Sequence, residues 1–210
     1  MRYAKINSLD VTNGENVGVS VFVQGCHFHC KGCFNPETWN FNGGKEWTAE
    51  VEKTFIGLIS KPYIKRVSIL GGEPLADENL ELTQAIIDLI SQVSSNTQKQ
   101  IKIWLYTGYT LEQIQNDVVT CNKTVFTYSD NEYSDQNINE AIKYKISLFN
   151  SDNRIKRNDI ALMCDYIVDG RFEIDKQDLT YSKVKFAGST NQRIIDVQKT
   201  LKKGEVVLYE

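Results

Sequence analysis

Three cysteines crowd into eight positions as Cys26-x3-Cys30-x2-Cys33, and their type and spacing carry the clearest chemistry in this sequence. A loop of that length can wrap a compact inorganic core while its backbone N–H groups turn toward the sulfurs. Three thiolates leave one iron of a 4Fe-4S cluster without a protein ligand, and such an iron can accept a substrate or cofactor. Electron carriers usually provide four cysteines, so the count suits chemistry better than electron storage. The alternative is a structural zinc completed by His27, His29, Cys121 or Cys164. Zinc ligands usually come as two C-x2-C pairs, and the second pair is missing here, so the spacing favours the cluster. Cys121 and Cys164 stand alone and read as ordinary buried residues. His27 and His29 either donate to a cluster sulfur or face solvent.

A second segment, Gly71-Gly72-Glu73-Pro74, follows an apolar run. Its glycines remove side chains that would keep a ligand from the main chain. Glu73 or strand-end carbonyls can accept hydrogen bonds from an ammonium group. On its own this segment is equally an ordinary turn. Beside an open iron, it fits a zwitterionic amino-acid moiety of the kind S-adenosylmethionine carries. Tyr106-Thr107-Gly108-Tyr109 offers further polar contacts, or else a strand-to-helix turn capped by Thr110.

The elements that must position these segments are legible as alternating runs. The pattern predicts strands at Val17–Val23, Ile64–Leu70 and Ile101–Tyr106, with helices at Ala49–Ile59 and Glu78–Val93 between them. This βαβαβ order implies parallel strands, right-handed crossovers and ligands at the carboxyl ends of the strands. The three segments above all follow predicted strands. A further strand is expected around Tyr166–Val168, and one or two more at Lys183–Phe186 and Val206–Tyr209. The expected fold class is α/β, as one domain over residues 1–210. A polar insertion is expected at about 121–159, with an amphipathic helix over roughly 136–149 and loop elsewhere. Periodicity does not choose between a partial (β/α) barrel and a flat doubly wound sheet.

The chain has 210 residues, 41% of them hydrophobic and 24% charged, enough apolar material for one sizeable core. Its formal charge of -3 gives no global attraction to nucleic acid or an anionic membrane, and neither is expected as a partner. No apolar leader or membrane-length run is present, and the odd number of cysteines suits a metal site in a reducing compartment, so a cytoplasmic location is expected.

In order and approximate spacing, NSLDVTNGENVGVSVFVQGC, CHFHCKGCFNPETW, GGEPL, WLYTGYTLEQI, DYIVDGRF and GSTNQRIIDV resemble the radical S-adenosylmethionine superfamily. Within it they resemble the activating enzymes of class III, anaerobic ribonucleotide reductase. Two departures stand out: Gly32 replaces the aromatic residue that many members carry before the last cysteine, and Ala187 stands where the family often has arginine. The resemblance implies a partial (β/α) barrel of the radical S-adenosylmethionine type. It also implies a 4Fe-4S cluster on Cys26, Cys30 and Cys33, with S-adenosylmethionine contacts from Gly32, Cys33, Phe34, Gly71, Gly72, Glu73 and Thr107. Asn35, Pro36 and Trp39 would shape the loop, and Asp169, Gly170, Ser189, Asn191 and Gln192 would be structural or partner-binding. The implied partners are the large reductase subunit and a reductant such as flavodoxin or ferredoxin. A pyruvate formate-lyase activase, a carboxy-deazaguanine synthase and a zinc-binding adaptor are the competing readings.

Overall fold

The computed structural model describes residues 1–116, 152–177 and 185–209. Seven strands form one sheet among them, in the order β3-β1-β2-β4-β5-β6-β7. These are β1 (Arg2–Asp10), β2 (Gly18–Val23), β3 (Lys45–Glu46), β4 (Arg66–Gly71), β5 (Lys102–Tyr106), β6 (Tyr166–Asp169) and β7 (Arg193–Asp196). The central pairs β2/β4, β4/β5 and β5/β6 are parallel, as the alternating pattern requires. Antiparallel strands flank them, β1 and β3 on one side and β7 on the other.

The four parallel strands follow one another without reversal, so right-handed crossovers put their helices on one face of the sheet. There α1 (Ala49–Ile59) packs beside α2 (Leu80–Thr97), and α2 beside α3 (Asn153–Leu162). Thr48 starts α1 by accepting the Val51 N–H at 3.4 Å, and Glu50 and Glu52 in the first turn favour the positive end of the helix dipole. The stripe Leu82, Ile86, Ile87, Ile90 and Val93 turns α2 into the core at helical spacing. Burying each such side chain is worth roughly 1.5–3 kcal/mol.

The strands alternate between two environments. On β5, Ile103 and Leu105 join the helix-covered core, while Trp104 joins a smaller cluster with Val168, Ala187 and Ile194. Near that opposite face lies a buried polar group of Asp10, Ser20, Arg66 and Ser68, which the sequence reading did not anticipate.

Three expectations change. The segment after residue 152 is not loop: Asp152 caps α3, which buries Ile155, Arg157, Ile160 and Ala161. The expected helix over 136–149 lies outside the described residues. Of the strand expected at Lys183–Phe186, the described part, residues 185–186, is a turn. Val206–Tyr209 contributes only a bridge from Leu208 to Ile195, the closing strand being β7 followed by α4 (Val197–Lys203). Among the described residues no helix is long and apolar enough to cross a membrane.

Candidate active site

The parallel strands deliver their following segments to one end of the sheet, where a cavity of about 360 Å³ opens. Cys26, Cys30 and Cys33 line it after β2, Gly71, Gly72 and Glu73 after β4, Thr107 and Gly108 after β5, and Gly170, Arg171 and Phe172 after β6. Phe34 stands at its edge, 59% exposed and 4.8 Å from the ring of Phe172.

The cysteine loop is tied down by its own backbone. Gly25 N–H donates to Thr38 O at 2.7 Å and Cys26 N–H to Trp39 O at 3.0 Å, while the Gln24 side chain donates to Glu37 O and Asn40 O. Cys33 N–H meets Cys30 O at 3.1 Å, and Asn35 N–H donates to Cys33 Sγ at 3.4 Å. This inward N–H supports sulfur bearing negative charge. Burial pushes the Cys26 and Cys30 thiols up, so anionic sulfur here calls for a compensating cation. Soft thiolates on a tightly held loop fit an iron–sulfur core.

Two of the donors that a zinc site would need, His27 and Cys164, are paired elsewhere or sealed in the core. His27 pairs with Glu78 at 2.9 Å, and His29 stacks on Trp39 with ring centres 4.6 Å apart. Cys164 is fully buried in the core, its thiol directed to Ile160 O at 3.2 Å, and Cys121 lies outside the described residues. Among the described residues no three Cys, His, Asp or Glu side chains, the three loop cysteines included, are grouped closely enough to hold a single metal ion.

The Gly-Gly-Glu segment is locked onto the cysteine loop. Gly72 N–H donates to Val23 O at 3.0 Å and Glu73 N–H to Gly25 O at 2.8 Å. Asn79 Nδ2 bridges Gly25 O and Glu73 O. A Cβ on Gly72 would stand 2.3 Å from Gly25 O, a backbone atom with no freedom to withdraw. Gly72→Ala should therefore force the two loops apart, at about 1–3 kcal/mol in stability. Denaturant unfolding checks the cost, and iron retention after reconstitution checks the displaced loop.

Glu73 is only 3% exposed. Its Oε1 accepts from Leu75 N–H and the Thr107 hydroxyl, both at 2.8 Å, and its Oε2 from Gly108 N–H at 2.7 Å. Burial pushes its carboxyl up to about 7 against those three hydrogen bonds. An ionised carboxylate offers about four acceptor positions, so one remains on Oε2. Thr107 thus touches Glu73 as well as the cavity, and Thr110 and Gln113 cap the turn after it reciprocally, at 2.8 and 3.3 Å. Gly32 departs from expectation: it does not line the cavity, and its backbone, at φ 74°, packs against Ile174 instead.

Asp169 takes the Leu111 N–H at 2.9 Å and pairs with Arg193, acting as a brace. Gln192 ties Gly188 N–H to Gly170 O, and Asn191 donates to Arg171 O. Sequence reasoning missed Thr12, Asn13, Arg171 and Phe172 as cavity residues. The DGRF block flagged the last two without assigning them a role.

A family model described as a 4Fe-4S single cluster domain matches residues 12–148, which include all three loop cysteines. Three relatives are each named anaerobic ribonucleoside-triphosphate reductase-activating protein. The Vibrio cholerae protein is 36% identical over 118 residues, covering 55% of this chain and 74% of that one. The Enterobacteria phage T4 protein is 37% identical over 115 residues, covering 55% and 71%. The Escherichia coli K12 protein is 32% identical over 116 residues, covering 54% and 73%. With the cysteine loop and the Gly-Gly-Glu turn meeting in one cavity, this chain belongs to the family of anaerobic ribonucleoside-triphosphate reductase-activating proteins, built on a 4Fe-4S single cluster domain.

Proposed function

We propose that this chain activates an anaerobic ribonucleotide reductase by generating a glycyl radical on its large subunit. The observation that carries the reading is the convergence of three cysteines and the Gly-Gly-Glu turn on one cavity at the carboxyl ends of parallel strands. Cys26, Cys30 and Cys33 would hold the cluster, while Cys33, Phe34, Gly71, Gly72, Glu73 and Thr107 would surround S-adenosylmethionine. When bound, these groups would supply the reductive cleavage of S-adenosylmethionine to methionine and a 5′-deoxyadenosyl radical able to take a hydrogen atom from glycine.

The chain's own residues do the positioning. The loop hydrogen bonds hold the thiols in register, and the glycines let a ligand reach the main chain. The aromatic pair Phe34 and Phe172 adds apolar surface to the cavity wall. The unreversed order of the parallel strands supports reading the open sheet as part of a (β/α) barrel forming one domain. A cytoplasmic reductant such as flavodoxin or ferredoxin would complete the system.

The test is to incubate the reduced, reconstituted enzyme with S-adenosylmethionine and the large reductase subunit, and to record electron paramagnetic resonance. A glycine radical on the reductase is expected. A radical on pyruvate formate-lyase and none on the reductase would transfer the chain to that rival activity.

Glu73 makes a further prediction. Its remaining acceptor position suits the methionine ammonium while the carboxyl is ionised, so S-adenosylmethionine affinity should fall as pH drops through about 7. Glu73→Gln keeps the size but turns an amide NH2 toward one of the three donors that now face the carboxylate. It should lose about tenfold or more in affinity and flatten that pH profile. Equilibrium binding measured on both sides of neutrality checks it, and an unchanged slope in the variant would assign the titration to another group.

A further inference from the structure

Arg157 comes from α3 and is 7% exposed. Its Nε donates to Leu75 O at 2.9 Å and its Nη2 to Asp77 Oδ1 at 2.7 Å. Both acceptors belong to the segment that follows Glu73, and Leu75 N–H is itself a donor to Glu73 Oε1. The guanidinium carbon also lies 4.6 Å from the ring centre of Tyr109, after β5. A cation at that distance is attracted by the ring, so one side chain joins two strand ends. Holding the fold together does not call for an arginine here. Apolar side chains of similar volume often replace a buried ion pair at no cost in stability, and the Asp77 side chain, 57% exposed, is open to water. What an apolar residue lacks is the fixed direction of two hydrogen bonds.

The chain of contacts continues into the cysteine loop. Tyr109 packs edge-on against Phe28 with ring centres 4.9 Å apart, and Phe28 lies between Cys26 and Cys30. The Phe28 ring also rests on the end of β5 itself, since a Cβ on Gly108 would stand 2.4 Å from its Cδ2. By contrast, Glu73 N–H and Asn79 Nδ2 grip the loop at Gly25, ahead of its first cysteine. Between Cys26 and Cys30, it is the Phe28 ring that meets the strand end after β5, and Arg157 relates that strand end to the Gly-Gly-Glu turn.

We infer that Arg157 is a positioning residue for the reaction, linking the Gly-Gly-Glu turn to Tyr109 and through it setting where the Cys26–Cys30 stretch stands relative to that turn. The inference rests on the proposed cofactor, which would lie between these two segments. It adds a residue that does not itself line the cavity. A misplacement of about 1 Å between groups that hold a reacting molecule can slow its reaction about 100-fold.

The experiment uses the full-length, anaerobically reconstituted protein. It reads iron content, the electron paramagnetic resonance spectrum of the reduced cluster with S-adenosylmethionine added, and the rate of 5′-deoxyadenosine release per bound cluster. Arg157→Met should keep wild-type iron, give an altered spectrum and release 5′-deoxyadenosine about 100-fold more slowly. Arg157→Lys keeps a buried cation but not the fork that reaches Leu75 O and Asp77 together. It should be slowed about tenfold, and it serves as the test if the methionine variant does not fold. Tyr109→Leu removes the far end of the link. Combined with Arg157→Met it should add less than about twofold to the larger single loss, because a link already broken has no second loss to give. Losses that multiply in the double variant overturn the assignment. So does a wild-type spectrum and rate in either Arg157 variant, even one that is less stable, since that leaves Arg157 a support of the fold alone. A wild-type protein that neither binds nor cleaves S-adenosylmethionine removes the proposed cofactor and this role together, whereas an active wild type with indifferent variants removes Arg157 alone.

Discussion

Cys30→Ala is expected to yield a folded chain that reconstitutes with little iron, releases no 5′-deoxyadenosine and raises no glycine radical on the reductase. Cys30 is one of three thiols on the loop, and the other described cysteine cannot replace it: Cys164 is sealed in the core, while His27 is paired with Glu78. Iron should drop from about four per chain to a small residue, because two thiolates anchor a four-iron core poorly. The fold should survive, since Cys30 is partly exposed on a loop whose closing hydrogen bonds come mainly from Gly25, Cys26 and Gln24. Cys164→Ala is the matching control. It trims a buried residue and should cost about 1–2 kcal/mol in stability while keeping the cluster. Full iron loading and cofactor cleavage in Cys30→Ala would break the ligand assignment, and loss of iron in Cys164→Ala would move a ligand into the core.

What could be read in the sequence, and what could not, follows from how far apart in the chain the interacting groups lie. The limits of α1 were legible to the residue because Thr48 caps a strongly patterned segment. Strands β2, β4 and β5 were legible because buried parallel strands are continuous apolar runs. The first strand was not, since RYAKINSLD alternates irregularly and its pairing with β2 shifts register twice. The last strand was missed because RIID is four residues long and follows the polar run GSTNQ, which leaves too short an apolar stretch to stand out. The site divides in the same way. Cys26-x3-Cys30-x2-Cys33 and Gly-Gly-Glu are contiguous motifs that announce themselves. Arg171, Asn13 and the buried Asp10–Arg66 pair become meaningful only when separate strand ends come together.

That buried pair makes the second large prediction. Arg66 and Asp10 are 1% and 5% exposed, with Nη2 2.8 Å from Oδ1. Burial alone would raise the Asp10 carboxyl, but hydrogen bonds from Ser20, Arg66 and Asn13 together outweigh it and hold the group well below the usual carboxylate range. Asp10→Ala removes one charge and leaves a guanidinium enclosed without its counter-ion, which should cost about 3–5 kcal/mol. Adding Arg66→Met to it should recover part of the loss, because the penalty lies in the orphaned charge more than in the missing bond. The sign with pH follows from the depressed carboxyl. Its contribution is fully present above the unfolded-state value of 3.8 and is lost as pH falls below it, so wild type should lose stability on acidification that Asp10→Ala never had. Denaturant unfolding across that range checks both. The effect also reaches the cavity. Asp10 accepts from Thr12 N–H at 2.7 Å and from Asn13 Nδ2 at 2.6 Å, and Ser68 donates to Asn13 O. Thr12 and Asn13 line the cavity. Loosening them should weaken S-adenosylmethionine binding even under conditions where the variant remains folded. If the folded variant binds the cofactor as wild type does, the buried pair supports the sheet alone and the loop over residues 11–17 has no part in shaping the site.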